Sequence, residues 1–191
     1  MDFLIIGIIS YLMGSIPFGF ILTKIFLKKD IREVGSGNIG ATNTLRAGNK
    51  VIGYLTLALD IIKAIIPVIY TKIYFPDFLY LASLCAFLGH VFPVWLKFKG
   101  GKGVATYLGI ILALSYKLFL IFFISWISIS LLFRFASLSS MISTLIVFLY
   151  AYFFEINSNS LILFIFFVMI LYTHRENILR LKNFTENKIK L

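Results

Sequence analysis

Seven apolar runs divide the 191-residue chain, at about 3–23, 52–74, 78–96, 104–115, 118–133, 138–154 and 160–173. A helix that crosses a bilayer needs about 20 consecutive apolar residues. The first three runs meet that length and the later ones are shorter. The pattern predicts an all-α, polytopic integral membrane protein: seven transmembrane helices with short extra-cytoplasmic loops, forming one membrane-embedded domain over residues 1–191. Val104–Phe133 could be one helix or two broken at Ser115-Tyr116-Lys117. One continuous helix there would be about 45 Å long, against a hydrocarbon core of about 30 Å. The first run opens Met1-Asp2-Phe3, without a basic start or a small-residue cleavage site, which predicts a retained helix rather than a signal peptide. No internal repeat interrupts the pattern.

Charge settles the number of runs better than length does. The chain carries 18 Lys and Arg against 8 Asp and Glu. With seven spans and the N-terminus outside, every basic residue except Lys63, Lys72 and Lys117 falls on one face. With six spans, Arg134 and the basic residues of the tail cross to the other side, and the asymmetry is lost. The positive-inside rule therefore favours seven. It puts loops 24–51, 97–103 and 134–139 and the tail from His174 on the cytoplasmic face. The outer connections are short: 74–77, 115–117 and Glu155–Ser160. The last residues, Thr185–Leu191, read as a mobile polar end.

Composition agrees, with 60% hydrophobic residues, 14% charged residues and a mean hydropathy of +0.97. A soluble surface cannot be built from that ratio. Net charge +10 would suggest nucleic acid in a soluble protein. Here the cations sit between apolar runs, which points to phosphate groups and the lipid bilayer and away from nucleic acid. The single Cys85, inside an apolar run, is read as packing.

Two glycine-rich loops stand out. The first runs Val34-Gly35-Ser36-Gly37-Asn38-Ile39-Gly40-Ala41-Thr42-Asn43-Thr44-Leu45-Arg46. It matches GxGxxG formally, but no βαβ unit surrounds it, so a dinucleotide fold is not implied. Close-spaced glycines such as Gly35 and Gly37 let backbone N–H groups converge on an anion. Ser36, Asn38, Thr42 and Asn43 add uncharged donors, and Arg46 adds a planar cation. The second loop follows His90 and reads Lys97-Phe98-Lys99-Gly100-Gly101-Lys102-Gly103 before the next helix. Glycines and a Lys at a helix start suit an anion. It is not a Walker A loop, because Gly103 stands where Ser or Thr is required. Two further polar clusters are Arg134–Ser140 and Thr173–Arg180, where a helix would put His174 with Asn177 and Glu176 with Arg180. Asp60 and Lys63 lie inside the second run at i, i+3 spacing, and such charges are expensive unless paired, so mutual pairing is expected.

The absences narrow the chemistry. Neither His90 nor His174 begins a His-x4-Asp acyltransferase motif, there is no H-E-x-x-H, and no cluster of carboxylates could hold catalytic metals. A site rich in donors and cations and poor in bases suits phosphate-bearing substrates.

GSIPFG in the first run, VGSGNIGATN, GHVFPVWLKFKGGKGVAT, RFASLSS and HRENI near the end together resemble the bacterial acyl-phosphate-dependent glycerol-3-phosphate acyltransferases (the PlsY family). The likeness covers essentially the whole chain. Trp95, Phe135 and Thr173 depart mildly from it, and no polar motif residue is missing. The resemblance implies an inner-membrane enzyme that transfers an acyl group from acyl phosphate to the 1-hydroxyl of glycerol 3-phosphate, with no cofactor and no metal. It assigns catalytic positions to Ser36, Asn38, Arg46, Lys102, His174 and Asn177. Substrate-binding positions are Gly35, Gly37, Thr42, Asn43, His90, Gly100, Gly101, Gly103, Ser140 and Arg175. Glu176 looks structural, and the enzyme that makes the acyl phosphate is an expected partner. An acyl phosphate is already activated, so direct transfer is expected, with either His174 or the donor's own phosphate as the base. An organic-phosphate transporter would need polar groups at mid-membrane, where only Asp60 and Lys63 lie. A non-catalytic lipid-binding protein would not need both glycine loops.

Overall fold

The computed structural model describes residues 1–154 and 159–189, and among them every regular element is helical. Most of the expected connection at Glu155–Ser160, together with Lys190 and Leu191, lies outside the described residues. The chain forms two compact units, Met1–Leu114 and Ser115–Leu191.

In the first unit the opening run is broken. Helix α1 (Asp2–Ser15) stops before Pro17, and α2 (Phe18–Leu22) passes into a π-helical turn at Thr23–Leu27. Pro17 offers no N–H and pushes Ile16 off helical geometry, to φ −60° and ψ 115°. The single helix expected over 3–23 is therefore two pieces with a polar-capable break. Helix α3 (Ala41–Arg46) precedes α4 (Lys50–Tyr74), whose first turn is capped by Asn49 accepting from the Ile52 N–H at 3.0 Å. Helix α5 (Leu79–Val91) packs on α1 through small residues. A Cβ on Gly14 would strike the Ala86 carbonyl, and one on Gly89 the Tyr11 carbonyl. Apolar surface alone does not drive helices together in lipid, so close backbone approach has to hold them. Helix α6 (Val104–Leu114) lies on α4, with Gly109 against the Ile61 carbonyl. Lys72 Nζ donates to its last carbonyls, Ala113 at 2.8 Å and Leu114 at 3.0 Å.

The ambiguous 104–133 stretch is two helices. Ser115 is extended, at φ −156° and ψ 118°, and its side chain caps α7 (Tyr116–Phe133). In the second unit α8 (Ala136–Phe154) packs against both α7 and α9 (Asn159–Thr173). Phe148 of α8 meets Phe164 of α9 with ring centroids 5.2 Å apart. The chain then bends by 59° between Ser160–Thr173 and Arg175–Lys182, the latter forming α10.

Among the described residues, five segments are long and apolar enough to cross a membrane: Asp2–Leu27, Lys50–Tyr74, Pro76–Leu96, Tyr116–Phe133 and Ala136–Phe154. Counted as one span, the bent pair ending in α10 makes a sixth. Helix α6 has only 11 residues, about 16 Å, so length alone does not make it the seventh. Many large apolar side chains face outward, Leu132 and Ile73 among them, as hydrocarbon solvent permits.

Candidate functional site

The first glycine loop is built around one buried amide. Asn43, 1% exposed, donates through Nδ2 to the carbonyls of Val34 (2.8 Å), Asn38 (2.9 Å) and Ile31 (3.2 Å). Its Oδ1 accepts the Ser36 N–H at 2.9 Å. Gly35 is glycine because a Cβ there would strike that same Oδ1, and its φ of +58° is left-handed. Asn43 thus spends its donors and acceptor on the loop itself and turns Ser36 outward. Ser36, Thr42 and Arg46 are exposed, Asn38 is half-buried, and among the described residues their side chains make no hydrogen bond. At the loop's entry the Arg32 guanidinium donates from Nε to Asp30 at 2.9 Å and holds that carboxyl down to about 2. Replacing Asn43 by Ala is expected to leave the buried groups it serves unmet, at about 1–3 kcal/mol each. Hydrogen exchange should then quicken over residues 31–43 and stay unchanged in α4.

The second loop closes the end of α5. Gly100 N–H donates to the Val91 carbonyl and Gly101 N–H to the His90 carbonyl, both at 3.1 Å. These two amides satisfy helix-end carbonyls instead of pointing at a ligand. Gly103 has φ +85°, and a Cβ there would strike the Phe87 ring. His90 is 3% exposed and lies beneath the loop, with Nε2 where a Gly101 Cβ would go. The two loops are joined by a small apolar cluster of Ile31, Ile39 and Leu96, with Phe20 against it. Ile39 of the first loop and Leu96, just before the second, therefore meet within the first unit. The expected ion pair is also present: Lys63 Nζ lies 2.8 Å from Asp60 Oδ1, each side chain 2% exposed.

In the second unit a carboxylate organises the polar end of the bundle. Glu186 accepts from Asn177 Nδ2 (2.6 Å), Ser137 Oγ (2.8 Å) and Arg180 Nε (2.8 Å). The tail is fixed again where Ile189 N–H donates to the Arg134 carbonyl at 2.6 Å. Residues 185–189, expected to be mobile, are docked. Sequence reasoning missed Glu186, because one carboxylate in a polar tail carries no motif; its only signal is charge opposite to that of the surrounding cations. Burial alone would raise the Glu186 carboxyl, but the hydrogen bonds from Arg180, Asn177 and Ser137 outweigh it and hold it lowered. A group lowered in the folded state stabilises above its ordinary pKa of about 4.3, and that contribution is lost as pH falls through the folded value. The melting temperature is therefore expected to drop on acidification below about pH 4 more steeply in the parent than in Glu186→Gln, as followed by thermal scans across pH.

His174, 3% exposed, sits at the bend before α10 with Nδ1 2.8 Å from the Ile170 carbonyl. A carbonyl can only accept, so the proton is assigned to Nδ1 and the lone pair to Nε2. Ser140 is buried: its hydroxyl donates to the Ala136 carbonyl at 2.8 Å and accepts from Trp126 Nε1 at 3.1 Å. Arg175 is exposed over the Tyr172 ring. Glu176 lies 3.8 Å from Arg180, the i, i+4 pair that the spacing suggested. Among the described residues no group of three or more His, Cys, Asp or Glu could hold a metal.

An all-helical chain with apolar spans is an integral membrane protein, and its two glycine-rich loops suit phosphorylated ligands. Comparison with known proteins narrows this. The family described as glycerol-3-phosphate acyltransferase matches residues 4–184. A glycerol-3-phosphate acyltransferase of Pelagibacter ubique (strain HTCC1062) is 61% identical over 191 residues, the full length of both chains. One from Mesorhizobium japonicum is 44% identical, over 95% of this chain and 93% of that one. A crystal structure of PlsY (YgiH), an integral membrane glycerol 3-phosphate acyltransferase in its glycerol 3-phosphate form, is similar with a TM-score of 0.93. It is 39% identical and covers 100% of this chain and 96% of that one. Its lysophosphatidic acid form is similar with a TM-score of 0.90 at 38% identity, again over 100% and 96%. The chain belongs to the glycerol-3-phosphate acyltransferase family.

Proposed function

We propose that this chain transfers an acyl group from acyl phosphate to the 1-hydroxyl of sn-glycerol 3-phosphate, giving lysophosphatidic acid and phosphate, the first step of phospholipid synthesis. The observation that carries this reading is the pair of glycine loops held together by Ile31, Ile39 and Leu96, with Ser36 and Arg46 turned outward. The similar solved structures, named for a glycerol 3-phosphate form and a lysophosphatidic acid form, support it.

In this scheme the reactants bring phosphate oxygens, which Lys102 and Arg46 of the first unit meet with charge, and Ser36, Asn38 and Thr42 with hydrogen bonds; the resemblance gives Arg175 of the second unit a binding role as well. Asn43 acts from behind, by shaping the loop that carries Ser36. The acceptor hydroxyl attacks the acyl carbonyl, the C–O bond to phosphate breaks, and the proton passes to the departing phosphate. A mixed anhydride needs no covalent enzyme intermediate. Ser36 stabilises the developing oxyanion or orients a phosphate. The family resemblance assigns catalytic positions in the second unit to His174 and Asn177. The chain is placed in the bacterial inner membrane with α6 as a short seventh span, the N-terminus outside and the glycine loops facing the cytoplasm, where an acyl-phosphate-producing enzyme can supply the donor.

The test uses purified chain in lipid vesicles with palmitoyl phosphate and radiolabelled glycerol 3-phosphate. Labelled lysophosphatidate must form, and label must not accumulate inside vesicles in place of product, as it would with a transporter. An acyl group trapped on Ser36 would overturn direct transfer.

A further inference from the structure

The Asp60–Lys63 pair does no work in the scheme above, yet it is an expensive feature of the first unit. Besides meeting Asp60, Lys63 Nζ donates to the Ile16 carbonyl at 2.7 Å, at the break before Pro17. Replacing a buried ion pair with apolar residues of similar volume is often neutral or stabilising. Packing alone therefore does not account for two charges in this place. The pair has a third neighbour: His90 Nδ1 stands 3.8 Å from Asp60 Oδ1, too far for a hydrogen bond, and neither atom has a well-directed hydrogen-bond partner among the described residues. On this side the imidazole is held by close packing against Asp60, not by a directed bond. Its other edge, Nε2, abuts Gly101, and the backbone on either side is stitched to the loop by the Gly100 and Gly101 N–H bonds.

We propose that Asp60 and Lys63 are positioning residues for the second glycine loop. The ion pair fixes the His90 ring, and the ring sets the height at which the 100–103 backbone presents itself to a phosphate. The Ile16 carbonyl, α4 and the end of α5 share this one electrostatic anchor, so the loop cannot move without disturbing it. The inference rests on the acyl-transfer reading only in taking phosphate as the loop's ligand.

The double variant Asp60→Leu/Lys63→Leu removes both charges and leaves neither unpaired. It is measured as full chain beside His90→Gln and the triple variant. Three readouts are taken: melting temperature, KM and kcat for the two phosphate substrates, and the inorganic phosphate concentration giving half-maximal thermal stabilisation. The expected result is a melting temperature close to the parent's and a KM for at least one substrate raised about 10-fold or more. kcat should change by less than about 3-fold, and the phosphate requirement should rise in step with KM. The triple variant should be no worse than the worse of its parents, because all act through one ring. A folded double variant whose KM and phosphate requirement stay within about 2-fold of the parent overturns the proposal, as do fully additive losses. If the double variant does not fold, Asp60→Glu, which keeps the charge on a longer arm, is judged by the same two criteria. A parent chain that makes no lysophosphatidate sinks the acyl-transfer reading, and the inorganic phosphate arm still decides this one.

Discussion

Gly101→Ala is expected to lower kcat/KM about 100-fold, mostly through KM, while the spans stay folded. The added methyl group would occupy the position of His90 Nε2. His90 is buried and backed by Asp60, so it has no open side into which to retreat. The loop must move instead, taking Lys102 with it. A displacement of about 1 Å in a group that positions a reactant costs on the order of 100-fold. Gly7→Ala in α1 is the matched control, since its Cβ would meet only Cys85 Sγ at 3.6 Å and Leu81 at 3.9 Å, ordinary contacts. Its activity should stay within about 2-fold of the parent. Steady-state kinetics with both substrates varied check this, and equal losses in the two variants would mean that the tight fit against His90 is irrelevant.

His174→Ala is expected to reduce kcat by about 100-fold, leave KM within a few-fold, and keep turnover measurably above background. The expectation follows from how the ring is held. A backbone carbonyl, Ile170, receives the Nδ1 proton, so Nδ1 is steadied by a neutral acceptor and not by a carboxylate. Glu176, the nearest in sequence, is exposed and paired with Arg180. Glu186 is engaged with Ser137, Asn177 and Arg180. In the proposed scheme His174 is therefore a polar anchor for the reacting groups, and the donor's phosphate takes the proton. Complete loss of turnover in a folded variant that still binds both substrates would make His174 the base.

Much of this was legible in the residue pattern, for identifiable reasons. The apolar runs forecast the helices because lipid demands them. The i, i+3 spacing forecast the Asp60–Lys63 pair, because unpaired charge is not tolerated there. Ser115 was one of three residues marked as a break, and it proved to be the cap. What escaped were relations between distant segments. Glu186 meets Ser137, 49 residues away, and nothing local in Thr185–Leu191 announces that partner. The glycines at 100 and 101 announced amides available to an anion, but α5 ends nine residues earlier with carbonyls that need those amides first. Asn43 read as a donor for substrate. Only folding the loop reveals three carbonyls converging on its amide. Pro17 carried the signal for the break in the opening run, but continuous hydrophobicity on both sides masked it.

The shortness of α6 has a consequence for which molecules can react. Gly101 touches His90, and His90 faces Asp60, which lies ten residues into α4. Ten helical residues rise about 15 Å. The loop, through His90, is therefore tied to a level of α4 well away from that helix's first turn. Under the acyl-transfer reading, a donor with a long tail stays dissolved in the membrane while its reactive carbonyl meets the loop. Under the same reading, a loop anchored at that level suits a compact polar acceptor better than one with a bulky head.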